Sequence, residues 1–491
     1  MTHDLERVGI VLIALLAGAL LALPLRRRER IVAQVALLVL TPALLALALW
    51  HNPKLATLHH HPARGVAAVA AVLIVVAALA LLIDRKPALL PLLALLALPF
   101  RVPLGAVSNG LLIPLYAVIA AGVFVRIERD REPQAPGALE RVLAGAIVVY
   151  ALQALYSPSV GLTKAVENAG FFYVPFALLY VLVRETDWTA QLQRRAFQLV
   201  VALGVLFALV GLAELADHSH LLFNRGLDQD AYFIRINSLF YDPNVYGRYL
   251  ALTTLLVACV CLRRRRPLAG EAGILGLLWA GLLISLSESA MIALLAGLAV
   301  AWVMSARRPG RGAVALVLAV AIAVGLTLAF ARGSIPTSLG GTSGSLAAAT
   351  SGRTSLVTEG VDLFADRPLE GFGSGSFATE YGAHISHRPN GFEHHEHLPY
   401  ERPTTSDSHT TPITIAAEQG LIGLAVYLAL LVGGVARVRR DVLFAALFAA
   451  VVVDTLFYAG FLEDPATWVI LALGATFGKA PPTDSHKCLP T

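Results

Sequence analysis

Apolar runs of about 17 to 22 residues recur along the chain, beginning at 8 to 25, with short polar interruptions between them. That is the length a helix needs to cross a hydrocarbon core of about 30 Å. A segment in lipid must satisfy its backbone hydrogen bonds internally, so the runs predict spanning helices. Basic clusters punctuate them at Arg26 to Arg30, Asp84 to Lys86, Arg126 to Arg131, Arg184 to Arg195, Arg263 to Arg266, Arg307 to Arg311 and Arg437 to Arg440, always two apolar runs apart. The bias of positive charge toward the cytoplasm places these clusters inside. The segments 51 to 64, 101 to 109, 156 to 167, 217 to 243, a tight turn near 288, 331 to 411 and 458 to 464 are then outside.

The pattern predicts an all-α polytopic membrane bundle of about 13 to 15 transmembrane helices with the N-terminus outside. The lower number applies if the short runs 88 to 100 and 465 to 478 are re-entrant. The first run follows "MTHDLER" and precedes "RRRER", the wrong order of charge for a cleavable signal peptide, and reads as a retained helix. The chain divides into N-terminal helices (1–216), central helices with a first external segment (217–330), a large extracytoplasmic loop (331–411), C-terminal helices (412–478) and a cytoplasmic tail (479–491).

Composition agrees. Of 491 residues, 57% are hydrophobic and only 14% charged, too little polar surface to cover a water-soluble globule. The net charge of +5 lies in short clusters between apolar runs rather than along one face, which excludes a nucleic-acid partner. Cys259, Cys261 and Cys488 are too few and too badly placed for a disulfide framework or a zinc site.

Two external segments are long enough to act. The first reads "DHSHLLFNRGLDQDAYFIRINSLFYDPN". The second opens with "RGSIPTSLGGTSGSLAAATSG" and continues with "RTSLVTEGVDLFADRP", where Leu356, Gly360, Val361 and Phe364 recur at helical spacing. This predicts a short helix on the membrane surface ending before Pro368, followed by the turn-rich "LEGFGSGSF" and a His/Pro-rich stretch.

Arginine on the outer side is the informative anomaly. Arg101, Arg235 and Arg353 fall there, and Arg248 sits about one turn inside the helix starting near Asn244. A guanidinium in or beside hydrocarbon costs at least ~2.5 kcal/mol at mid-depth, so it persists where an anion or a cavity meets it. Phosphate oxygens match its fork two at a time. His409 stands at the edge of the apolar run that follows Pro412, at headgroup depth, where a neutral imidazole can take a proton from a hydroxyl.

Three stretches resemble a known family. "RINSLFYDPNVYGRYLAL" resembles its Arg followed by Asp-Pro-Asn at a helix start. "SGRTSLVTEGVDLFADRPLEGFGSGSF" resembles its external-loop signature of Arg, short helix and Gly-x-Gly turn, and "SHTTPITIAAEQGLIGL" resembles its His followed by Glu-x-Gly-Leu-Ile-Gly. In this order, over residues 235 to 425, they resemble the O-antigen ligase and polymerase superfamily of lipid-linked glycan transferases. The first two hundred or so residues match it in hydropathy alone.

The resemblance implies His409 as general base, with Arg353 and Arg235 gripping the pyrophosphate of the donor. Asn244 and Asp242 fall on the helix-start motif, structural or site-lining, and Glu418 on the Glu of Glu-x-Gly, packing or orienting rather than catalytic. Two positions depart. Glu288 stands where relatives often carry an arginine, a cation that Arg248 or Arg101 can supply, and Thr410 replaces the usual asparagine after the histidine.

The implied reaction moves a glycan from a polyprenyl-pyrophosphate donor to a glycan, lipid or protein hydroxyl, with inversion, at the outer face of a bacterial cytoplasmic membrane. Arginines would neutralise the leaving group in place of a metal, so no cofactor is expected. The absence of a Walker motif and of an external Asp-x-Asp fits a donor other than a nucleotide sugar. Ligase, polymerase and protein O-oligosaccharyltransferase share these motifs. Two rivals stand beside them: a metal site at His394, His395 and His397 with Glu393 and Glu396, whose spacing is not a recognised ligand pattern, and a flippase for the same lipid, which would show paired broken helices in two matching halves.

Overall fold

The computed structural model describes residues 2–50, 62–102, 111–129, 134–217, 221–222, 235–264, 269–305, 353–386, 407–458 and 460–477. They form α1 (Thr2–Ala22), α2 (Arg27–Ala48), α3 (Pro62–Arg85), α4 (Leu89–Ala97), α5 (Ile113–Glu128), α6 (Ala138–Gln153), α7 (Ser159–Asn168), α8 (Val174–Arg184), α9 (Ala190–Asp217), α10 (Pro243–Arg264), α11 (Ala269–Ser285), α12 (Glu288–Ser305), α13 (Arg353–Asp366), α14 (Phe377–Ser386), α15 (Thr411–Val438), α16 (Val442–Asp454) and α17 (Pro465–Phe477). Among the described residues nine helical segments are long and apolar enough to cross a membrane, and three more apolar helices are shorter. The protein is an all-α polytopic membrane protein. At nine residues, α4 is too short to span, in keeping with the re-entrant alternative.

Burial sorts the helices into a centre and a periphery. The span Ser159–Arg184 is the most enclosed, whereas α3 presents Val66, Val69, Leu73 and Ile74 outward, the surface a lipid-facing helix needs. Ile10, Ile147, Phe176, Tyr180, Phe207, Leu294, Phe448 and Trp468 belong to one continuous core. Without a hydrophobic drive between helices in lipid, close backbone approach carries the packing. On α12, Gly297 lies against the Ala446 carbonyl and the Ala450 side chain of α16, where an added Cβ would come within 3.0 Å of that carbonyl.

Among the described residues, the clusters at 26–30, 84–86, 126–131 and 184–195 are joined by ion pairs at one end of the bundle, while 307–311 lies outside the described residues. Arg30 and Arg126 both pair with the buried Glu185, Arg129 pairs with Asp84 at 3.0 Å, and Arg184 pairs with Glu140 at 3.1 Å. Arginines of three clusters thus meet carboxylates that compensate their charge, two of those carboxylates, Asp84 and Glu185, lying within clusters themselves.

Two interruptions of the helices shape the other end. Pro175 has no N–H to offer the carbonyl four residues back, and the chain forms a π-turn at Ala169–Tyr173; the Phe171 carbonyl instead accepts from the Tyr116 hydroxyl at 2.8 Å. The second break is in α15. Its apolar run is continuous in sequence, yet Gly420 adopts φ 61°, ψ −156°, and the helix is broken there. The freed groups find partners in residues 368–373: the carbonyls of Ala417 and Glu418 accept from Phe372 and Gly373, and the amides of Leu421 and Ile422 donate to Pro368 and Leu369. Gln153 at the end of α6 donates to the Gln419 carbonyl at 2.9 Å. Irregular backbone at a membrane edge is tolerated where protein supplies such partners.

The short helix expected before Pro368 is α13, which ends at Asp366. Its inward face is Leu356, Gly360 and Leu363; Val361 points outward. A Cβ on Gly360 would collide with Ile413 of α15, so α13 packs on protein along this face.

Candidate functional site

A cavity of about 260 Å³ opens between α6, the π-turn, α10, α15 and the α16–α17 connection. Arg101, Arg248, Asp407, Glu418, Tyr458, Glu463 and Asp464 are among the residues lining it.

His409 lies between two of its lining residues, Asp407 and Thr411. Its backbone is left-handed, φ 57°, a conformation that costs a non-glycine residue about 1–3 kcal/mol and persists only where neighbours over-determine it. They do so here. The Asp407 carboxylate accepts the His409 amide at 2.8 Å, the Ser408 amide donates to Thr414 Oγ1 at 3.1 Å, the Ser408 hydroxyl donates to the Thr410 carbonyl at 2.9 Å, and the Thr411 amide donates to the Thr455 carbonyl at 3.0 Å. The imidazole remains 42% exposed, with Nδ1 3.7 Å from Asp407 Oδ1. A braced backbone therefore carries an accessible imidazole that faces a carboxylate. The other non-glycine residues with positive φ among the described residues are Ser238 and Leu286, both in segments that flank Arg235.

The first motif is built as an N-terminal cap. Asp242 Oδ1 accepts the Asn244 amide at 2.7 Å, and Asn244 Oδ1 accepts from Arg235 Nη2 at 2.9 Å. Arg235 also reaches the carbonyls of Ser285 and Leu286, so the turn between α11 and α12 is tied to it. Asp242 Oδ2 accepts the Tyr458 hydroxyl. Burial holds that phenol well above its usual range, so it stays a donor.

The arginines differ in how far they are already engaged. Arg248 is buried, ion-paired with Asp454 and with Asp464 at 3.3 Å, and stacked over Tyr458. Its Nη2 alone has no hydrogen-bond partner among the described residues. Arg101 lines the cavity and makes no hydrogen bond or ion pair among the described residues. Arg353 begins α13, but its side chain lies outside the described residues, as do His394, His395, His397, Glu393 and Glu396.

Glu418 sits where the resemblance implies an orienting residue. Its carboxylate accepts the backbone amides of Gly375 at 2.8 Å and Phe377 at 3.1 Å, clasping the glycine turn that repairs the break in α15. The turn needs its glycines: Gly373 has φ 100° and lies against Ser157, whose hydroxyl donates to the Ser374 carbonyl.

Sequence reading missed the α16–α17 connection. Thr455 holds the start of α15, Tyr458 holds Asp242, Asp464 with Asp454 holds Arg248, and Glu463 Oε1 accepts the Tyr173 hydroxyl at 2.7 Å. Burial is the largest influence on Glu463 and raises its carboxyl above the usual range. The available signal was four ionisable or phenolic groups crowded at the end of a short apolar helix, in "DTLFYAGFLEDP". Asp407 was missed as well, standing two residues before His409.

No curated protein matches the chain. Residues 273–428 match the O-antigen ligase family, a span that takes in α12, α13, α14, His409 and the break in α15 but not Arg101, Arg235, Arg248 or the α16–α17 connection. Over that third of the chain, which includes the broken helix α15, this multi-pass membrane bundle is similar to the O-antigen ligase family.

Proposed function

We propose that the protein transfers a glycan from a polyprenyl-pyrophosphate donor to an acceptor hydroxyl at the outer face of a bacterial cytoplasmic membrane, with inversion and without a metal. The observation that carries this reading is the Asp407–His409 pair, locked in a strained turn beside a cavity that Arg101 also lines.

In this reaction His409 removes the proton of the acceptor hydroxyl as its oxygen attacks the anomeric carbon. Asp407 orients the imidazole and stabilises the imidazolium that forms, as a carboxylate does for a general base. The bond to the pyrophosphate oxygen breaks on the opposite face, and polyprenyl pyrophosphate leaves with the electron pair. Donors placed in advance at the leaving oxygens lower this barrier without reorganisation. Arg101, unpaired among the described residues, is the cation best able to meet them. Arg248 is tethered by two aspartates and can offer Nη2, Arg235 is fixed by Asn244, and Arg353 stands at the start of the loop helix. Asp242, Asn244 and Glu418 hold the walls rather than the substrate.

The acceptor is a glycan, lipid or protein hydroxyl, so the reading includes ligase, polymerase and protein O-oligosaccharyltransferase chemistry. Release of polyprenyl pyrophosphate by purified wild type and His409→Ala, in EDTA, tests it.

A further inference from the structure

We propose that the π-turn at Ala169–Tyr173 and the facing Glu463 build a subsite for a sugar ring, the one joined to the pyrophosphate of the donor. The inference rests on the transfer reading above and assigns a role to residues outside the matched span 273–428.

A π-turn inside a long helix offsets every side chain that follows it and leaves backbone to be satisfied elsewhere, a cost that marks functional positions. Here Pro175 produces it and Tyr116 compensates the released Phe171 carbonyl. The result is that Phe172 and Tyr173 both line the cavity, with Tyr150 of α6 and Asn168 of α7 beside them. Tyr150 and Tyr173 meet edge to face at 4.7 Å.

The polar groups are arranged in pairs. Asn168 Nδ2 donates to the Tyr150 hydroxyl at 2.9 Å, and the Tyr173 hydroxyl donates to Glu463 Oε1 at 2.7 Å, which leaves Glu463 Oε2 as a further acceptor on a cavity-lining residue. Sugar hydroxyls both donate and accept, and a carboxylate, a carboxamide and phenols at one wall answer both needs. Aromatic rings beside them offer the flat apolar contact that ligand pockets combine with a few placed polar groups. A purely structural tie between the π-turn and the α16–α17 connection would need only the Tyr173–Glu463 bond; it would not need Asn168 and Tyr150 at the same wall. Arg101 and Arg248 line the same cavity, so a ring in this subsite can remain joined to a pyrophosphate held by them.

The test measures binding of two probes to the full-length protein in nanodiscs: undecaprenyl pyrophosphate, and undecaprenyl pyrophosphate carrying one N-acetylglucosamine. Wild type is expected to bind the sugar-bearing lipid about tenfold or more tightly, the size of one hydrogen bond to a charged group. Glu463→Gln and Asn168→Ala are each expected to shrink that difference while leaving affinity for the bare lipid unchanged, which also shows that both variants fold. Variants that keep the full difference, a wild type that binds both lipids equally, or variants that lose both lipids alike would overturn the subsite and leave the transfer reading standing. A wild type that binds neither lipid would overturn the transfer reading, and this inference with it.

Discussion

Asp407 holds His409 twice, accepting its backbone amide at 2.8 Å and facing its imidazole with Oδ1 3.7 Å from Nδ1. The backbone is thus tied to the carboxylate that the ring faces. His409→Ala should lower turnover by about 10²–10⁴-fold, the ordinary worth of a positioned general base. Asp407→Asn keeps the shape and should lower turnover less, leaving substrate affinity near wild type. Turnover and donor affinity measured for both variants check this, with the loss expected in turnover and not in affinity.

Glu418 and Gly420 predict a structural rather than a catalytic defect. Glu418 accepts two backbone hydrogen bonds from the glycine turn, each worth ~0.5–1.5 kcal/mol. Gly420 at φ 61° leaves no room for a Cβ against the Leu369 carbonyl. Glu418→Ala and Gly420→Ala should both lower the thermal unfolding midpoint in detergent and expose the 368–377 turn to protease. A Glu418→Ala protein with wild-type stability and no activity would instead place that carboxylate in the chemistry.

Arg248 and Asp454 form a buried pair whose single removal strands a charge. Arg248→Met or Asp454→Leu alone should destabilise by ~3–5 kcal/mol, whereas the double variant should recover much of that loss. Unfolding measured for all four proteins closes the cycle. Additive losses would mean that the pair does not act as a unit.

Glu463 lies in the connection outside the spanning helices, and burial raises its carboxyl. A carboxyl whose folded-state pKa lies above its unfolded value holds its proton more tightly when folded. The stability it contributes is complete at low pH and is lost as pH rises from the ordinary carboxylate range through the raised value. Stability measured across that window should therefore fall with pH in wild type and fall less in Glu463→Gln.

How much of this was legible follows from the range of each signal. The spans were readable because the hydrocarbon core imposes a run length, and the shared end of the Arg30, Arg126 and Arg184 clusters because charge bias is local to a loop. His409 and Glu418 stand out in the sequence because each sits in a short stretch with a family likeness, inside the span that matches the family. The break in α15 was not, since Gly420 stands in an uninterrupted apolar run and its backbone partners come from residues 368–373. Tyr458 and Glu463 meet partners 216 and 290 residues away, distances at which no local pattern informs. The engagement of Arg248 by Asp454 was hidden for the same reason, so an arginine chosen for its depth turned out to carry its own counter-ions.

The most direct test of the account follows undecaprenyl-pyrophosphate release from a lipid-linked oligosaccharide, with candidate acceptors and EDTA present, by wild type and His409→Ala of matched stability. The account predicts turnover by wild type that EDTA leaves intact and that falls at least about a hundredfold in the variant. Turnover by His409→Ala at the wild-type rate, or turnover that EDTA abolishes, would contradict it.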